Sequence, residues 1–190
     1  MRTDQLAGEE MLSTAMAALK APGDQLLAAL DRIPAAIYVT DRDGVITHFN
    51  KACIALAGRT PVARHDRWCV TWKLYTPDGA FMPHDQCPMA VAIRERRSVR
   101  GIEAVAERPD GSRISFVPYP TPLLDDEGEL IGAINLLVDI TQLRHLATLR
   151  ARAMQCRRLA AGIGDRRTVD TLKEMASEYE EQARQAEHLH

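Results

Sequence analysis

Three side chains in the first half of the chain could bind a metal ion. His84 and Cys87 are separated by two residues, and Cys69 lies upstream of them. Imidazole and thiolate groups are ligands that zinc and iron accept. A single His-x-x-Cys pair at the start of a helix also fits a capping and packing role. The sequence therefore leaves two interpretations open, a metal site at His84 and Cys87, assisted by Cys69, or a structural segment.

Other catalytic patterns are not visible in the sequence. It contains no Ser-His-Asp arrangement, no phosphate-binding glycine loop and no paired-carboxylate motif. His145 lies near the start of the predicted C-terminal helical zone but lacks the neighbouring acid expected of a phosphoacceptor histidine. We therefore predict that the chain is not an enzyme.

An aromatic group in the middle of the chain could line a ligand cavity or fill a core. Trp68, Trp72 and Tyr75 lie within eight residues of one another. Large aromatic side chains serve both purposes, and the sequence does not distinguish them.

Composition limits the partners of the chain. Its 190 residues carry 24 Lys and Arg against 26 Asp and Glu, a formal charge of −2, and aromatics are 5%. Such a balance gives no basic field for nucleic acid, and the longest apolar run is too short to cross a membrane. The N-terminus lacks the apolar core of a signal peptide, and the four cysteines are scattered. We expect a cytoplasmic protein with reduced thiols that binds neither membrane nor nucleic acid.

Hydrophobic periodicity divides the chain into a helical zone (1–23, ending at Pro22-Gly23), a mixed zone (24–141) and a helical zone (142–190). Residues 59–84 have no clear period and are predicted to form turns and loops. Asn50 and Asp85 are predicted to cap helices, the first ending at Gly58. The predicted strands, two before these helices and three after them, are 35–40, 45–49, 98–107, 113–123 and 129–139. We therefore predict an α+β fold, in which a five-stranded antiparallel sheet carries helices on one face.

Three prolines indicate how the fourth strand pairs. Pro118, Pro120 and Pro122 recur at period two, so their missing N–H groups all fall on the same side of the strand. We predict that beyond Phe116 this strand separates from one of its two partners.

The last zone predicts an antiparallel hairpin of two helices. Residues 162–165 (GIGD) interrupt the helical pattern, and apolar residues recur on both sides in alternating steps of three and four. These two seams are Leu146, Leu149, Ala153, Cys156, Ala160 and Ile163, then Val169, Leu172, Ala176, Tyr179, Ala183 and Ala186. Spacing of this kind is typical of a coiled coil or helix bundle. Arginines of the first helix and glutamates of the second are expected to neutralise each other.

The middle zone resembles the PAS family. The likeness is carried by residues 33–52 (IPAAIYVTDRDGVITHFNKA), 108–112 (RPDGS), 126–128 (DEG) and 139–141 (DIT). The resemblance implies a curved sheet whose helix-covered face can hold a small molecule, haem or flavin. It also implies that Asp139 and Thr141 mark the junction between the sheet and an output helix. The pocket candidates under this resemblance are Ile37, Val39, Phe49, Cys53, Trp68, Cys69, Trp72 and Phe116.

Cofactor expectations follow from the same resemblance. Cys69 follows Asn50 at the separation seen in light-sensing LOV domains, but the polar residues that grip flavin there are replaced here by Val70-Thr71-Trp72-Lys73. Haem-binding PAS domains take their iron ligand from this part of the chain, which makes His84 or Cys87 the candidate. The ligand itself is not identified by the sequence.

The resulting hypothesis is a signal-sensing or regulatory PAS protein, expected to be a homodimer and to act on a signalling partner. Binding of a ligand or partner would change the packing of the C-terminal helices. Two alternatives stay open: a haem- or metal-binding PAS sensor using His84 and Cys87, and a ligand-free dimerisation scaffold.

Overall fold

A computed structural model describes residues 2–20 and 23–187. The predicted stop of the first helix at Pro22 lies outside them. Within the described residues, the helices are α1 (Arg2–Ala18), α2 (Gly23–Leu30), α3 (Lys51–Ala57), α4 (Pro88–Glu95), α5 (Thr141–Ala161) and α6 (Arg166–Glu187). The strands are β1 (Ala36–Asp41), β2 (Ile46–Phe49), β3 (Lys73–Tyr75), β4 (Phe81–Met82), β5 (Ala104–Glu107), β6 (Arg113–Pro118), β7 (Thr121–Leu124) and β8 (Leu130–Asp139).

The strands form one antiparallel sheet in the order β2-β1-β8-β6-β5-β3-β4, with β7 also paired to β8. The α+β prediction is confirmed, but the prediction of five strands was too few. Residues 59–84 were predicted to lack strands, yet they contain the hairpin of β3 and β4, whose three and two residues are too short to show a period. The predicted strand 113–123 is divided into β6 and β7.

The three prolines have the predicted effect on pairing. Strand β6 pairs with β5 only as far as Ala104 and Phe116, whereas the chain beyond it continues to pair with β8 through β7. Tyr119 N, between two of the prolines, donates to Leu136 O of β8 at 2.8 Å. The proline nitrogens therefore face away from β8. Because proline has no N–H group, the chain beyond Phe116 cannot donate hydrogen bonds on the side of β5.

Helices cover both faces of the sheet. We call the larger group of core residues the inner cluster; α3 and α4 pack there against Ala36, Tyr38, Ile46, Cys69, Val70, Leu74, Phe116, Ala133 and Leu137. The outer cluster joins α1 and α2 to the opposite face, through Leu12, Ala15, Leu26, Leu30, Ile33, Ala35, Ile37, Val39, Tyr119, Ile134 and Leu136. The prediction placed helices on one face only, whereas α1 and α2 form a second helical layer on the opposite face. Strands β1 and β8 are buried on both faces, as expected at the centre of a covered sheet.

Helix α3 has the predicted caps. Asn50 Oδ1 accepts a hydrogen bond from Cys53 N, and Gly58 adopts the left-handed conformation, with φ 63°. The predicted cap at Asp85 was wrong. Residues His84–Gln86 form a 3₁₀ turn, so α4 begins two residues later than predicted, with Cys87 as its N-cap and Pro88 in its first turn.

Helices α5 and α6 pack together as the predicted antiparallel hairpin. Gln142 Nε2, at the start of α5, donates to Ala186 O at the end of α6 (2.8 Å). The guanidinium of Arg157 forms a bidentate pair with Glu180 at 2.8 and 2.9 Å, and Arg150 pairs with Glu187. The buried residues Leu149, Ala153, Cys156, Ala160, Ala176 and Ala183 belong to the two predicted seams.

The chain divides into two compact units between Asp139 and Ile140. The predicted zone 1–23 and the predicted zone 24–141 as far as Asp139 share the first unit, since Leu12 and Ala15 of α1 belong to the outer cluster. Within the described part of the chain, no helix combines the length and the apolar character needed to cross a lipid bilayer.

Candidate functional site

A buried polar network crosses the inner face of the sheet. Tyr38 of β1 and Asn135 of β8 are direct partners in the strand register. Tyr38 Oη donates to Trp68 O at 2.8 Å and accepts from Asn135 Nδ2 at 3.0 Å. Asn135 Oδ1 in turn accepts from Tyr119 N at 3.0 Å. Burial raises the pKa of Tyr38 well above its ordinary value, so the phenol stays neutral and can donate.

Trp68 reaches this network through an unusual backbone conformation. Its φ of 68° lies in the left-handed region, which costs a bulky residue on the order of 1 kcal/mol. Trp68 N donates to Gly44 O at 2.7 Å, and a Cβ at Gly44 would lie 2.2 Å from the indole ring. Gly44 therefore leaves the space that the indole fills, and Trp68 O accepts the bond from Tyr38.

Three thiols lie in the inner cluster beside the network. Cys53 Sγ donates to Ile37 O at 3.1 Å, Cys69 Sγ accepts from Thr71 Oγ1 at 3.2 Å, and Cys87 Sγ lies 3.8 Å from Trp68 O. Burial raises the pKa of the Cys53 and Cys69 thiols and raises the pKa of Cys87 to about 12. Neutral thiols are poor nucleophiles, so these cysteines are suited to packing rather than to reaction.

The raised pKa of Cys87 predicts a loss of stability in alkaline solution. In the unfolded chain this thiol titrates near its ordinary value of 9.0, whereas in the folded chain it stays protonated to about pH 12. The contribution of this thiol to the free energy of unfolding is therefore constant below about pH 9. Between pH 9 and about 12 the free energy of unfolding falls, by up to about 1.4 kcal/mol per pH unit. The free energy of unfolding, measured by chemical denaturation between pH 8 and 11, should fall less steeply with pH in Cys87→Ala than in the unmodified chain. Equal slopes would contradict the assignment.

The predicted pocket residues separate into two groups. Phe49, Cys53, Trp68, Cys69 and Phe116 do come together, in or against the inner cluster. Three predictions need correction, because Ile37 and Val39 lie in the outer cluster and Trp72 is 50% exposed. Successive residues of a strand face opposite sides, so the inward residues of β1 are Ala36 and Tyr38.

The proposed metal ligands do not form a site. Within the described residues, no group of three or more His, Cys, Asp or Glu side chains is placed to hold a metal ion. Cys87 Sγ is directed at a carbonyl oxygen, and burial followed by the charge of Arg59 lowers the pKa of His84. Cys87 is the N-cap residue of α4 and belongs to the inner cluster, in agreement with the capping and packing interpretation.

A groove at one end of the first unit is the second candidate site. Its volume is about 330 Å³, and it lies between α1, α3, the start of β1 and the end of β8. Its lining residues are Met11, Pro34, Ala35, Ala36, Ala52, Ala55, Leu56, Arg108, Leu137, Val138 and Asp139. Asp139, one of the two predicted junction residues, ends β8, and Thr141, the other, begins α5.

Arg108, which sequence reasoning did not single out, lines the groove. Its Nε donates to Leu56 O at 3.1 Å and its Nη2 to Ala55 O at 2.6 Å. Both acceptors are carbonyls at the end of α3, where a cation is favourable. A Cβ at Gly58 would lie 2.8 Å from the Arg108 side chain, so the glycine lets the arginine pass.

A comparison with protein families agrees with this architecture. Residues 30–145 match the family described as PAS fold. No curated protein matches the chain. A PAS domain from Colwellia psychrerythraea is 21% identical over 63% of this chain and 97% of its own, with a TM-score of 0.42. The PAS domain of the fruit-fly ELK potassium channel is 14% identical over 62% and 96%, with a TM-score of 0.49.

A third solved structure is the LOV domain of a blue-light activated histidine kinase from Erythrobacter litoralis. It is 20% identical over 58% of this chain and 99% of its own, with a TM-score of 0.44. The family match covers more than half of the residues and includes every strand described above. The chain belongs to the PAS family.

Proposed function

We propose that this chain is a regulatory sensor, in which a change in the PAS domain is transmitted through β8 to the C-terminal helices. The observation that carries the proposal is the position of β8. This strand supplies residues to both core clusters, holds Asn135 of the polar network and ends at Asp139 in the groove wall. After one intervening residue, the chain enters α5.

Strand β8 is suited to carrying such a change because it cannot adjust on one face alone. Leu137 packs in the inner cluster and Leu136 in the outer cluster, and both are almost fully buried. Closely packed interiors resist gradual deformation, so a displacement on one face is passed to the other. A shift of β8 would also move the residue from which α5 continues.

The phenol of Tyr38 provides a direct test. We expect Tyr38→Phe to remove the hydroxyl donor of Trp68 O and the acceptor of Asn135 Nδ2. Hydrogen exchange in α5 and α6 should then change relative to β3 and β5. Losing a buried hydrogen-bond partner costs about 1–3 kcal/mol, which corresponds to roughly a 5- to 150-fold change in exchange rate. Hydrogen exchange of the full chain, followed by mass spectrometry, measures the exchange rate of each segment.

The matched control is Tyr75→Phe, which removes the same atom from a half-buried ring on β3. It should leave α5 and α6 unchanged. If Tyr38→Phe accelerates exchange equally in every segment, the variant has only lowered global stability, and transmission through β8 is contradicted.

The proposal includes a homodimer that acts on a signalling partner without catalysing a reaction. Native mass spectrometry of protein from its own host reports the subunit number and any retained small molecule together. A monomer at micromolar concentration would count against the dimer.

A ligand-free scaffold is the second candidate, and the continuous packing of the inner cluster favours it. In a scaffold the helices would serve association only. Tyr38→Phe would then alter stability without any selective change in α5 and α6, so the same exchange experiment distinguishes the two functions.

A further inference from the structure

The groove has the size and the lining of a small-molecule site. Its volume of about 330 Å³ falls at the lower end of the range for ligand pockets. A liquid-phase water occupies about 30 Å³, so the groove holds on the order of ten non-hydrogen atoms. The space exists because four of its lining residues are alanines, Ala35, Ala36, Ala52 and Ala55. Met11, Leu56 and Leu137 add larger apolar surfaces.

One positive charge is fixed in this apolar lining. The hydrogen bonds to Ala55 O and Leu56 O hold the guanidinium of Arg108 through Nε and Nη2. Both acceptors are neutral, and among the described residues no carboxylate forms an ion pair with Arg108. Its Nη1 group makes no hydrogen bond to another described residue. An arginine held in this way retains its charge and further donors for a carboxylate.

The two nearby carboxylates, those of Asp110 and Asp139, do not form an ion pair with the guanidinium of Arg108. Asp110 lies within electrostatic reach of Arg108, but its Oδ1 accepts bonds from the backbone and the side chain of Ser112. Asp139 also lines the groove. In the sheet it is paired with Phe116 of β6, which is in turn paired with Ala104 of β5. Arg108 follows Ala104 by four residues, a displacement of roughly 13 Å along the strands. The backbone positions of Arg108 and Asp139 are therefore separated along the sheet, and both residues line the groove.

We propose that the groove binds a small molecule with an apolar body and one carboxylate, which Arg108 recognises. This inference rests on the proposed function, because the groove wall contains the last three residues of β8 and its ligand would be the sensed signal. The groove borders the inner cluster and shares Ala36, Leu56 and Leu137 with it, but none of the eight predicted pocket residues lines the groove. The chemical class is a monocarboxylate of about ten non-hydrogen atoms, with an unbranched chain or a single ring.

Octanoate is a probe of this size, and 1-octanol is its uncharged counterpart. Calorimetric titration of the full chain should show that octanoate binds and that 1-octanol binds more weakly. Arg108→Gln should weaken octanoate binding roughly ten- to hundredfold, the value of a hydrogen bond to a charged group, and leave 1-octanol unaffected. The matched control is Arg42→Gln, at an exposed turn residue, which should change neither affinity.

Ala55→Leu tests the groove without altering charge. Leucine has nearly the helix propensity of alanine and would occupy the space, so both probes should lose affinity while the fold is retained. Absence of octanoate binding, or equal octanoate affinity in Arg108→Gln or in Ala55→Leu, would overturn the proposal. The Tyr38→Phe exchange experiment uses no ligand, so its result would still decide separately whether β8 transmits a change.

Discussion

Replacing Asn50 with alanine should lower the free energy of unfolding by about 3 kcal/mol or more. The Asn50 side chain is buried and uses all its hydrogen-bonding capacity. Its Oδ1 accepts from Ile37 N at 2.9 Å and Cys53 N at 3.3 Å. Its Nδ2 donates to Leu30 O at 3.0 Å and Ala35 O at 2.8 Å. One side chain thus joins the end of α2, the start of β1 and the start of α3.

Comparison with other substitutions separates this joining role from simple capping. Asp165 caps α6 by accepting from Thr168 N at 2.9 Å in an exposed position, so Asp165→Ala should cost about 1 kcal/mol. Asn50→Asp should be at least as damaging as Asn50→Ala, since a carboxylate would face two carbonyl oxygens. Urea denaturation gives all three values. A cost for Asn50→Ala no larger than that for Asp165→Ala would refute the joining role.

The second large effect is expected at Gly132, where Gly132→Ala should cost about 3 kcal/mol or more. Gly132 lies in β8 opposite Asp41 of β1 and Leu123 of β7. A Cβ there would lie 2.1 Å from Thr40 O and 3.2 Å from Thr40 C. These are backbone atoms of the central strand pair, so relief requires β1 and β8 to separate and lose hydrogen bonds. Thermal or urea unfolding measures the change.

Gly164 provides the control for this substitution. It lies between α5 and α6, and a Cβ there would meet nothing within 4 Å. Gly164→Ala should therefore be neutral or slightly stabilising, by less than about 1 kcal/mol. If both alanine variants unfold at the same denaturant concentration as the unmodified chain, the close approach of β1 and β8 at Gly132 is not rigid.

Local patterns were sufficient to predict most of the architecture. The turns at Gly44 and Gly111, the caps of α3 and the break between α5 and α6 are each determined by a few neighbouring residues. Strands β3 and β4 were missed because their pairing depends on β5, which comes later in the chain. The division of the predicted strand 113–123 follows from Pro118 and Pro120, and its consequence for pairing was predicted correctly.

The site was less predictable than the fold. Residues 35–39 are apolar or aromatic throughout, so alternation could not show whether Ile37 or Tyr38 faces inward. The left-handed conformation of Trp68 has no local sequence signal. Arg108 reaches carbonyls more than fifty residues earlier in the chain, a contact that only the folded structure creates. The pairing of Tyr38 with Asn135 depends in the same way on the register of β1 and β8.

The prolines of β6 and β7 also affect how the protein can associate with copies of itself. An unpaired sheet border with regularly spaced N–H groups is a template for strand addition and for fibril growth. On the side of β7 away from β8, Pro118, Pro120 and Pro122 cannot donate, and Pro120 O already accepts from Val99 N at 3.3 Å and from Arg100 Nη1 at 2.9 Å, so few hydrogen bonds remain there for an incoming strand. At high concentration this protein should therefore resist polymerisation by strand addition along that edge. Specific association between copies would then use other surfaces.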